Sequence, residues 1–229
     1  MGTESATERA PERTTTVVVA IDGPAGSGKS TIARALADRL DVPHVDTGAY
    51  YRALTLAVLR AGADPADEDA VVDVMDRTHV DRTGDHTLLN GVDVEADIRT
   101  DAVDASVSAV AAHRVVRGRL VEWQRGGVGP SGAVVEGRDA ATVIVPDATL
   151  KVWLTAPADV RARRRAQQQG AAGDQVLARV SGDLVARDQA DRNNTFRATD
   201  AVEIDTSASS VAQIVNHIVD LLDADVRRR

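Results

Sequence analysis

The segment that decides the fold covers residues 17–30 and reads VVVAIDGPAGSGKS. Its apolar first part has the pattern of a strand buried on both faces, and a cluster of glycines follows at once. Beyond the glycines, Ile32, Leu36 and Leu40 recur at four-residue spacing, which is typical of an amphipathic helix. The segment therefore predicts a buried strand, a glycine-rich turn and a helix in direct succession.

The turn itself reads GPAGSGKS at residues 23–30 and fits the pattern G-x-x-x-x-G-K-[ST]. Its glycines would let backbone N–H groups converge on phosphate oxygens, next to the positive end of the helix dipole. We expect Lys29 to reach the β- and γ-phosphates of a nucleoside triphosphate, and the hydroxyl of Ser30 to ligate Mg²⁺. The alternative is a turn that only links strand to helix. The predicted ATP-binding residues are Gly23, Pro24, Ala25, Gly26, Ser27, Gly28, Lys29, Ser30 and Thr31.

The lysine of this loop stands out against the composition. Arginine supplies nearly all of the 27 basic residues, and the two lysines are Lys29 and Lys151. A position that keeps a compact ammonium rather than a planar guanidinium indicates a specific role for that charge. The loop predicts nucleotide binding, but it does not distinguish a kinase from an ATPase or a GTPase switch.

The composition excludes several classes of protein. The 229 residues, 43% of them hydrophobic and 27% charged, suffice for one large α/β domain or for a core with one small insertion. There is no apolar run of about 18 residues and no signal-peptide pattern, so we expect a cytoplasmic protein without membrane insertion. The absence of cysteine excludes disulfides and thiolate chemistry, and the net charge of −8 argues against binding a nucleic acid polymer. The sequence does not fix the oligomeric state, and we expect a monomer.

The rest of the chain alternates strand-like and helical segments. Strand-like runs lie at 42–45, 133–135, 150–154 and 201–204, and helical stretches lie at 49–59, 102–112 and 115–125. Strands that alternate with helices predict a parallel sheet that is covered by helices on both faces.

Two parts of the chain fall outside this alternation. Residues 1–15 are polar and lack periodicity, so we expect a disordered leader. Residues 62–97 are acidic, and they contain Asn90 and Gly91 between apolar residues, which is the signal of a hairpin turn. We therefore expect a small insertion in the sheet domain.

Two polar clusters follow predicted strands. The segment 46–52 reads DTGAYYR and follows the second strand, and the segment 136–139 reads EGRD and follows the third. Ligands bind at the carboxyl ends of parallel strands in such sheets. Arg52 and Arg138 could therefore converge there and hold the phosphate of an acceptor bidentately.

The carboxylates of these clusters have two interpretations. One carboxylate could accept a hydrogen bond from a base amino group, and Asp46 or Glu136 could join Ser30 around Mg²⁺. Alternatively, Asp46 is only a helix N-cap, and Arg138 forms an ordinary surface ion pair with Asp139.

In their order and spacing these motifs resemble those of the bacterial cytidylate kinases, members of the nucleoside monophosphate kinase family. The resemblance runs from about residue 17 to the C-terminal helix. Its segments are the loop 23–30, DTGA at 46–49 with Arg52, DIRT at 97–100, GRD at 137–139 with TVIVPDA at 142–148, the arginines from Arg161 to Arg165, RD at 187–188 with Asp191, and IDT at 204–206.

The resemblance implies an α/β fold of the P-loop NTPase type, with a five-stranded parallel sheet in the order 2-3-1-4-5 and helices on both faces. It implies a kinase core at 16–61 and 107–229, a monophosphate-binding insertion at 62–106 and a short mobile lid at about 161–190. The implied reaction transfers the γ-phosphate of ATP to CMP or dCMP with Mg²⁺ as cofactor.

The resemblance also assigns roles to single residues. With Lys29, the catalytic residues would be the lid arginines Arg161, Arg164 and Arg165, whose guanidinium groups close over the transferring phosphate. A basic helix face in solvent is the alternative for that arginine cluster. The implied acceptor-binding residues are Thr47, then Arg52 and Arg138 for the phosphate, Ser108, Arg117 and Asp139 for the cytosine, and Arg187 and Asp191 for the sugar.

The chain departs from the family pattern at two places. Family members commonly carry a further arginine three residues after the sugar-binding aspartate, but Asn194 stands there, and the segment that follows is shorter than usual. We therefore expect Arg197 to bind the acceptor in place of the missing charge. The second departure is GRDAAT at 137–142, where the family has GRDIGT.

These departures leave other functions open. One alternative is a P-loop kinase that acts on a different or modified nucleotide, or on a small alcohol such as shikimate. A second is a nucleotide-binding regulatory protein that has lost transfer activity. Phosphorylation of a panel of acceptors separates the first alternative from cytidylate phosphorylation, and binding of ATP and CMP without ADP formation would favour the second.

Overall fold

The computed structural model describes residues 16–168, 170 and 173–226, so the leader expected at 1–15 lies outside the described residues. The strands are β1 (Val17–Asp22), β2 (His44–Asp46), β3 (Val80–Thr83), β4 (His86–Leu89), β5 (Val92–Asp93), β6 (Gly132–Gly137), β7 (Leu150–Thr155) and β8 (Val202–Asp205). The helices are α1 (Lys29–Leu40), α2 (Thr47–Arg60), α3 (Glu68–Met75), α4 (Asp101–Ala112), α5 (Arg114–Gly126), α6 (Ala158–Gln168), α7 (Asp174–Ala190) and α8 (Val211–Val226).

The main sheet has five parallel strands in the order β2-β6-β1-β7-β8. Numbered among themselves, these strands have the order 2-3-1-4-5, so the predicted P-loop fold is confirmed. In the register of the sheet, Asp22 pairs with Gly137, and Asp46 pairs with Glu136. The carboxyl ends of β1, β2 and β6 therefore lie side by side, which brings the loop and both polar clusters to one edge.

Helices cover both faces of this sheet, as predicted. Val19 and Ile21 of β1 pack in a cluster with Ile32 and Leu36 of α1 and with Ile218 of α8. The side chain between them, Ala20, packs on the opposite face with residues of α2, α4 and α5. Successive strand residues point to opposite faces, so a continuous apolar strand serves both layers.

A smaller antiparallel sheet, β3-β4-β5, lies within the predicted insertion. Asn90 and Gly91 have φ values of 51° and 80°, the left-handed conformations that the two-residue hairpin turn requires. Helix α4 runs through the expected boundary between residues 106 and 107 and packs on α2. The limits of the insertion and of the lid stay predictions.

A membrane-spanning helix would need to be longer and more apolar than any helix found in residues 16–168 and 173–226.

Candidate active site

A cavity of about 270 Å³ opens at the carboxyl ends of β1, β2 and β6. Residues of the glycine-rich loop line one side of it, and residues of α2, α4, α5, α6, α7 and β6 line the rest. The predicted site residues that line it are Ala25, Gly26, Gly28, Lys29, Ser30, Thr31, Asp46, Thr47, Arg52, Ser108, Arg117, Glu136, Arg138, Asp139, Arg165, Arg187 and Asp191. Most of the side chains that the sequence singled out are thus brought to one place.

The glycine-rich loop has a backbone that only glycine adopts easily. Gly23 has a φ of 150°, and a Cβ atom there would lie 2.2 Å from the carbonyl oxygen of Leu154. Gly26 and Gly28 have φ values of 76° and 91°, in the left-handed region that side chains rarely enter. The glycines thus set the path of the loop into α1, which begins at Lys29.

Lys29 is the charged side chain of this loop. Its Nζ atom donates a hydrogen bond of 2.8 Å to the carbonyl oxygen of Pro24. Burial, assisted by the positive charge of Arg138, lowers the pKa of Lys29 to about 7, although Glu136 and Asp22 oppose the shift. An anion such as a phosphate would raise this pKa again, so the residue is suited to bind one.

Ser30 and Glu136 meet at the base of the cavity. The hydroxyl of Ser30 donates a hydrogen bond of 2.9 Å to one carboxylate oxygen of Glu136. The other oxygen lies 2.9 Å from Nε2 of His44, and the side chain of Glu136 is only 3% exposed. A hydroxyl and a carboxylate fixed this closely form an oxygen-rich position beside the phosphate loop.

Asp46, the other candidate metal ligand, has both oxygens engaged. One accepts a hydrogen bond of 3.1 Å from the amide of Ala49 and so caps α2, as the N-cap alternative proposed. The other lies 3.0 Å from a guanidinium nitrogen of Arg99. Although burial acts in the opposite direction, Arg99 and Arg82 hold the pKa of Asp46 below its usual value. Glu136 is the better placed of the two carboxylates to act beside Ser30, because it is the one that accepts a hydrogen bond from the Ser30 hydroxyl.

Asp22, which the sequence marked only as the end of a strand, fixes the segment after β6. Its two oxygens accept hydrogen bonds of 2.9 Å and 2.8 Å from the amides of Ala140 and Ala141. Burial raises the pKa of Asp22 to about 6 in spite of these two bonds. The contacts hold the turn that presents Arg138 and Asp139 to the cavity.

The two arginines expected to bind an acceptor phosphate, Arg52 and Arg138, both line the cavity. Arg138 donates a hydrogen bond of 3.0 Å to the carbonyl oxygen of Gly23 and lies 3.0 Å from Asp191. Arg52 donates to the carbonyl oxygen of Ile98 at 3.0 Å and to Asp104 at 2.6 Å. Asp104 is a residue that the sequence interpretation missed.

The residues expected to recognise the base also come together. Asp139 forms an ion pair with Arg117, whose guanidinium carbon lies 5.8 Å from the centre of the Tyr51 ring. Ser108 donates a hydrogen bond of 3.4 Å to Asp191. Asp139 is 7% exposed, and burial raises its pKa although Arg117 opposes the shift. A buried carboxylate held by one guanidinium can accept a further hydrogen bond from a ligand.

The three predicted lid arginines have separate partners. Arg165 lines the cavity, whereas Arg161 lies 2.6 Å from Asp188 and donates 2.9 Å to the carbonyl oxygen of Ala25. Arg164 donates hydrogen bonds of 2.8 Å and 2.6 Å to the hydroxyl and the carbonyl of Thr206. It lines a second cavity, of about 400 Å³, on the other side of the loop. These contacts are made within the fold, so the three residues are not a basic face in solvent.

Arg197 corrects the sequence expectation, because the structure does not bring it to the cavity. Its guanidinium pairs with Glu203 of β8 and donates 3.1 Å to the carbonyl oxygen of Ala201. Asn194 does line the cavity. Asn194, which stands where the family has an arginine, is thus part of the site. Arg197 is held away from it by its contacts with Glu203 and Ala201.

A phosphate-binding loop and a cluster of arginines that line one cavity, at the carboxyl edge of a parallel sheet, define a P-loop kinase. The family model described as cytidylate kinase matches residues 19–224 of the chain. The chain therefore belongs to the cytidylate kinase family.

Curated relatives agree with this assignment. The cytidylate kinase of Mycobacterium avium (strain 104) is 50% identical over 220 residues, which cover 90% of this chain and 95% of that protein. The cytidylate kinase of Corynebacterium efficiens is 44% identical over 226 residues, with 93% and 96% covered. That of Symbiobacterium thermophilum is 41% identical over 213 residues, with 89% and 94% covered.

Proposed function

We propose that the protein transfers the γ-phosphate of ATP to CMP or dCMP and so forms ADP with CDP or dCDP. The observation that carries the proposal is that Lys29 of the loop and the Asp139–Arg117 pair line one cavity. The loop suits a triphosphate, and the buried carboxylate suits the amino group of a cytosine. Family membership supports the same reaction.

The donor would lie along the loop. Its β- and γ-phosphates would meet the backbone amides at the start of α1 and the ammonium group of Lys29. The second cavity, lined by Arg164 and Thr206, continues from the loop in the other direction and offers room for the nucleoside. Arg161 binds the loop backbone at Ala25, so we propose that it positions the loop rather than the phosphate.

The acceptor would enter between α2, α4 and α5. Arg52 and Arg138 would hold its phosphate and place one oxygen in line with the γ-phosphorus of ATP, and Arg165 would neutralise charge on the transferring group. Arg187 and Asp191 would hold the sugar. No general base is required, because a phosphate monoester oxygen is already ionised at neutral pH.

Mg²⁺ would be held by Ser30 with Glu136 beside it. The residues fit this ion, because Mg²⁺ prefers oxygen ligands and usually combines one or two side chains with phosphate oxygens and waters. The Ser30–Glu136 hydrogen bond and the buried His44–Glu136 contact show two oxygen groups already arranged beside the loop. When bound, Mg²⁺ would neutralise part of the charge on the phosphates of ATP.

Formation of ADP with different acceptors tests the proposed function. We expect CMP and dCMP to give the highest kcat/KM in a coupled assay that also contains UMP, AMP and shikimate as acceptors. Binding of both ATP and CMP without ADP formation would instead indicate a regulatory protein. A higher kcat/KM for UMP, AMP or shikimate would assign the kinase to another substrate.

Asn194 and Arg197 give a paired prediction about the acceptor phosphate. Asn194 lines the cavity and Arg197 does not, so we expect Asn194→Arg to lower the KM for CMP by about threefold to tenfold, through one added charge-assisted contact. We expect Arg197→Ala to keep kcat/KM within about twofold of wild type, since its ion pair is exposed. Steady-state kinetics of both variants measures this, and a loss of more than about tenfold in Arg197→Ala would return that residue to the site.

A further inference from the structure

Asp104 is an acidic residue in the middle of the arginine cluster. It lies in the first turn of α4, and one of its oxygens is 2.6 Å from Arg52 and 3.2 Å from Arg187. Its other oxygen is 2.6 Å from Arg165. The three guanidinium groups come from α2, α7 and α6, so one carboxylate joins three helices that surround the cavity.

The position of Asp104 places this carboxylate at the edge of the acceptor site. Residues three and four positions apart lie on the same face of a helix, so Asp104 continues the stripe formed by Val107, Ser108 and Ala111. Those three residues line the cavity, and so do all three arginines that contact Asp104. The carboxylate therefore binds the same guanidinium groups that face an incoming ligand.

The charge of this carboxylate is stable. Burial favours the neutral form, but the positive charge of Arg52, followed by Arg165 and Arg187, holds the pKa of Asp104 below its usual value. Its side chain is 19% exposed, so the ion pairs are only partly screened by water. Asp104 thus carries a full negative charge in the neutral pH range.

We propose that Asp104 is an internal anion that pairs with Arg52, Arg165 and Arg187 and competes with the phosphate of the acceptor for Arg52, an inference that rests on the proposed function. A phosphate monoester carries a charge of about −1.5 to −2 and three acceptor oxygens, so it competes well against one carboxylate. Guanidinium groups donate charge-assisted hydrogen bonds to both kinds of anion. The consequence is a weaker hold on the acceptor and an easier release of the product.

The neutral variant Asp104→Asn tests this competition. We expect it to bind both inorganic phosphate and CMP about tenfold more tightly than wild type in calorimetry, because a negative charge near the bound phosphate is removed. The KM for CMP should fall and kcat should not rise. In the absence of anions the melting temperature should fall, since three guanidinium groups lose a charged partner, and phosphate should restore it.

Two further variants serve as controls. Asp76→Asn removes the same charge from an ion pair with Arg119, at 2.6 Å, and neither residue lines either of the two cavities described above, so phosphate affinity should stay at the wild-type value. Asp104→Glu keeps the charge and should not tighten phosphate binding. If Asp104→Asn does not fold, Asp104→Ser removes the same charge in a smaller side chain.

Unchanged or weaker phosphate binding in Asp104→Asn would overturn the inference, because Asp104 would then only hold the arginines in place. Phosphate binding does not require turnover, so this result is independent of the proposed function. A wild-type protein that forms no CDP would refute the proposed function, and tighter phosphate binding in Asp104→Asn would still support the competing anion.

Discussion

Lys29→Ala is expected to lower kcat for phosphoryl transfer by at least about a hundredfold and to leave the fold intact. The ammonium group is expected to stabilise the negative charge that develops on the phosphates during transfer. Loss of one such contact lowers kcat by about 10²–10³. In the free protein the ammonium group of Lys29 donates one hydrogen bond among the described residues, to the carbonyl oxygen of Pro24, so its removal breaks one hydrogen bond of the fold. Steady-state kinetics and a thermal melt measure the two effects.

The chain offers a matched control for this variant. Lys151, the other lysine, pairs with Asp200 at 2.8 Å and lines neither cavity, so Lys151→Ala should retain wild-type activity. An activity loss below tenfold in folded Lys29→Ala protein would contradict the role of the loop lysine.

The pH dependence of ATP binding gives a second readout of Lys29. Burial lowers the pKa of Lys29 to about 7 in the free protein, and bound phosphates would raise it. ATP binding above pH 7 must then take up a proton, so the affinity for ATP should fall as the pH rises from 7 to 9. Calorimetry in buffers of different ionisation enthalpy measures this uptake, and Lys29→Ala should lack it.

Asp139→Ala is expected to reduce the discrimination between CMP and UMP by about tenfold to a hundredfold. A buried carboxylate that accepts a hydrogen bond from the cytosine amino group contributes roughly 1–3 kcal/mol to selectivity. UMP has no amino group at that position, so its kcat/KM should fall less than that of CMP. The measurement is kcat/KM for CMP, dCMP and UMP in the wild type and in Asp139→Ala.

The surface pair Asp159–Arg163 supplies the control for Asp139→Ala. Both side chains of this pair are more than half exposed, at 64% and 60%, so Asp159→Ala should leave the selectivity unchanged. Equal losses for CMP and UMP in Asp139→Ala would show that Asp139 supports Arg117 without reading the base.

The elements that sequence predicted best depend on local pattern. The strand Val17–Asp22 and the helix that begins at Lys29 lie where the apolar run and the glycine-rich motif placed them. Both elements are predicted by neighbouring residues, namely by the spacing of the apolar side chains and by the glycines between strand and helix. The order of the strands came instead from the resemblance to a family, because pairing joins distant segments.

Contacts between distant elements could not be read from the sequence. Asp104 lies in the first turn of a helix, where an acidic residue is common in any case, and three arginines up to 83 residues away give it a special role. The prediction that Arg197 lies at the acceptor site was wrong for a similar reason. Its partner Glu203 lies in the next strand, and a short polar segment carries no periodicity that fixes where a side chain points.

Transfer of a γ-³²P label from ATP to CMP tests the central claim most directly. The reaction contains the wild-type protein, Mg²⁺, labelled ATP and CMP, and its products are separated by chromatography. We expect the label to appear in CDP, with one labelled CDP formed for each ADP. When UMP replaces CMP, labelled UDP should form much more slowly. Label that appears only as inorganic phosphate, or that remains in ATP, would contradict the assignment of this site to cytidylate phosphorylation.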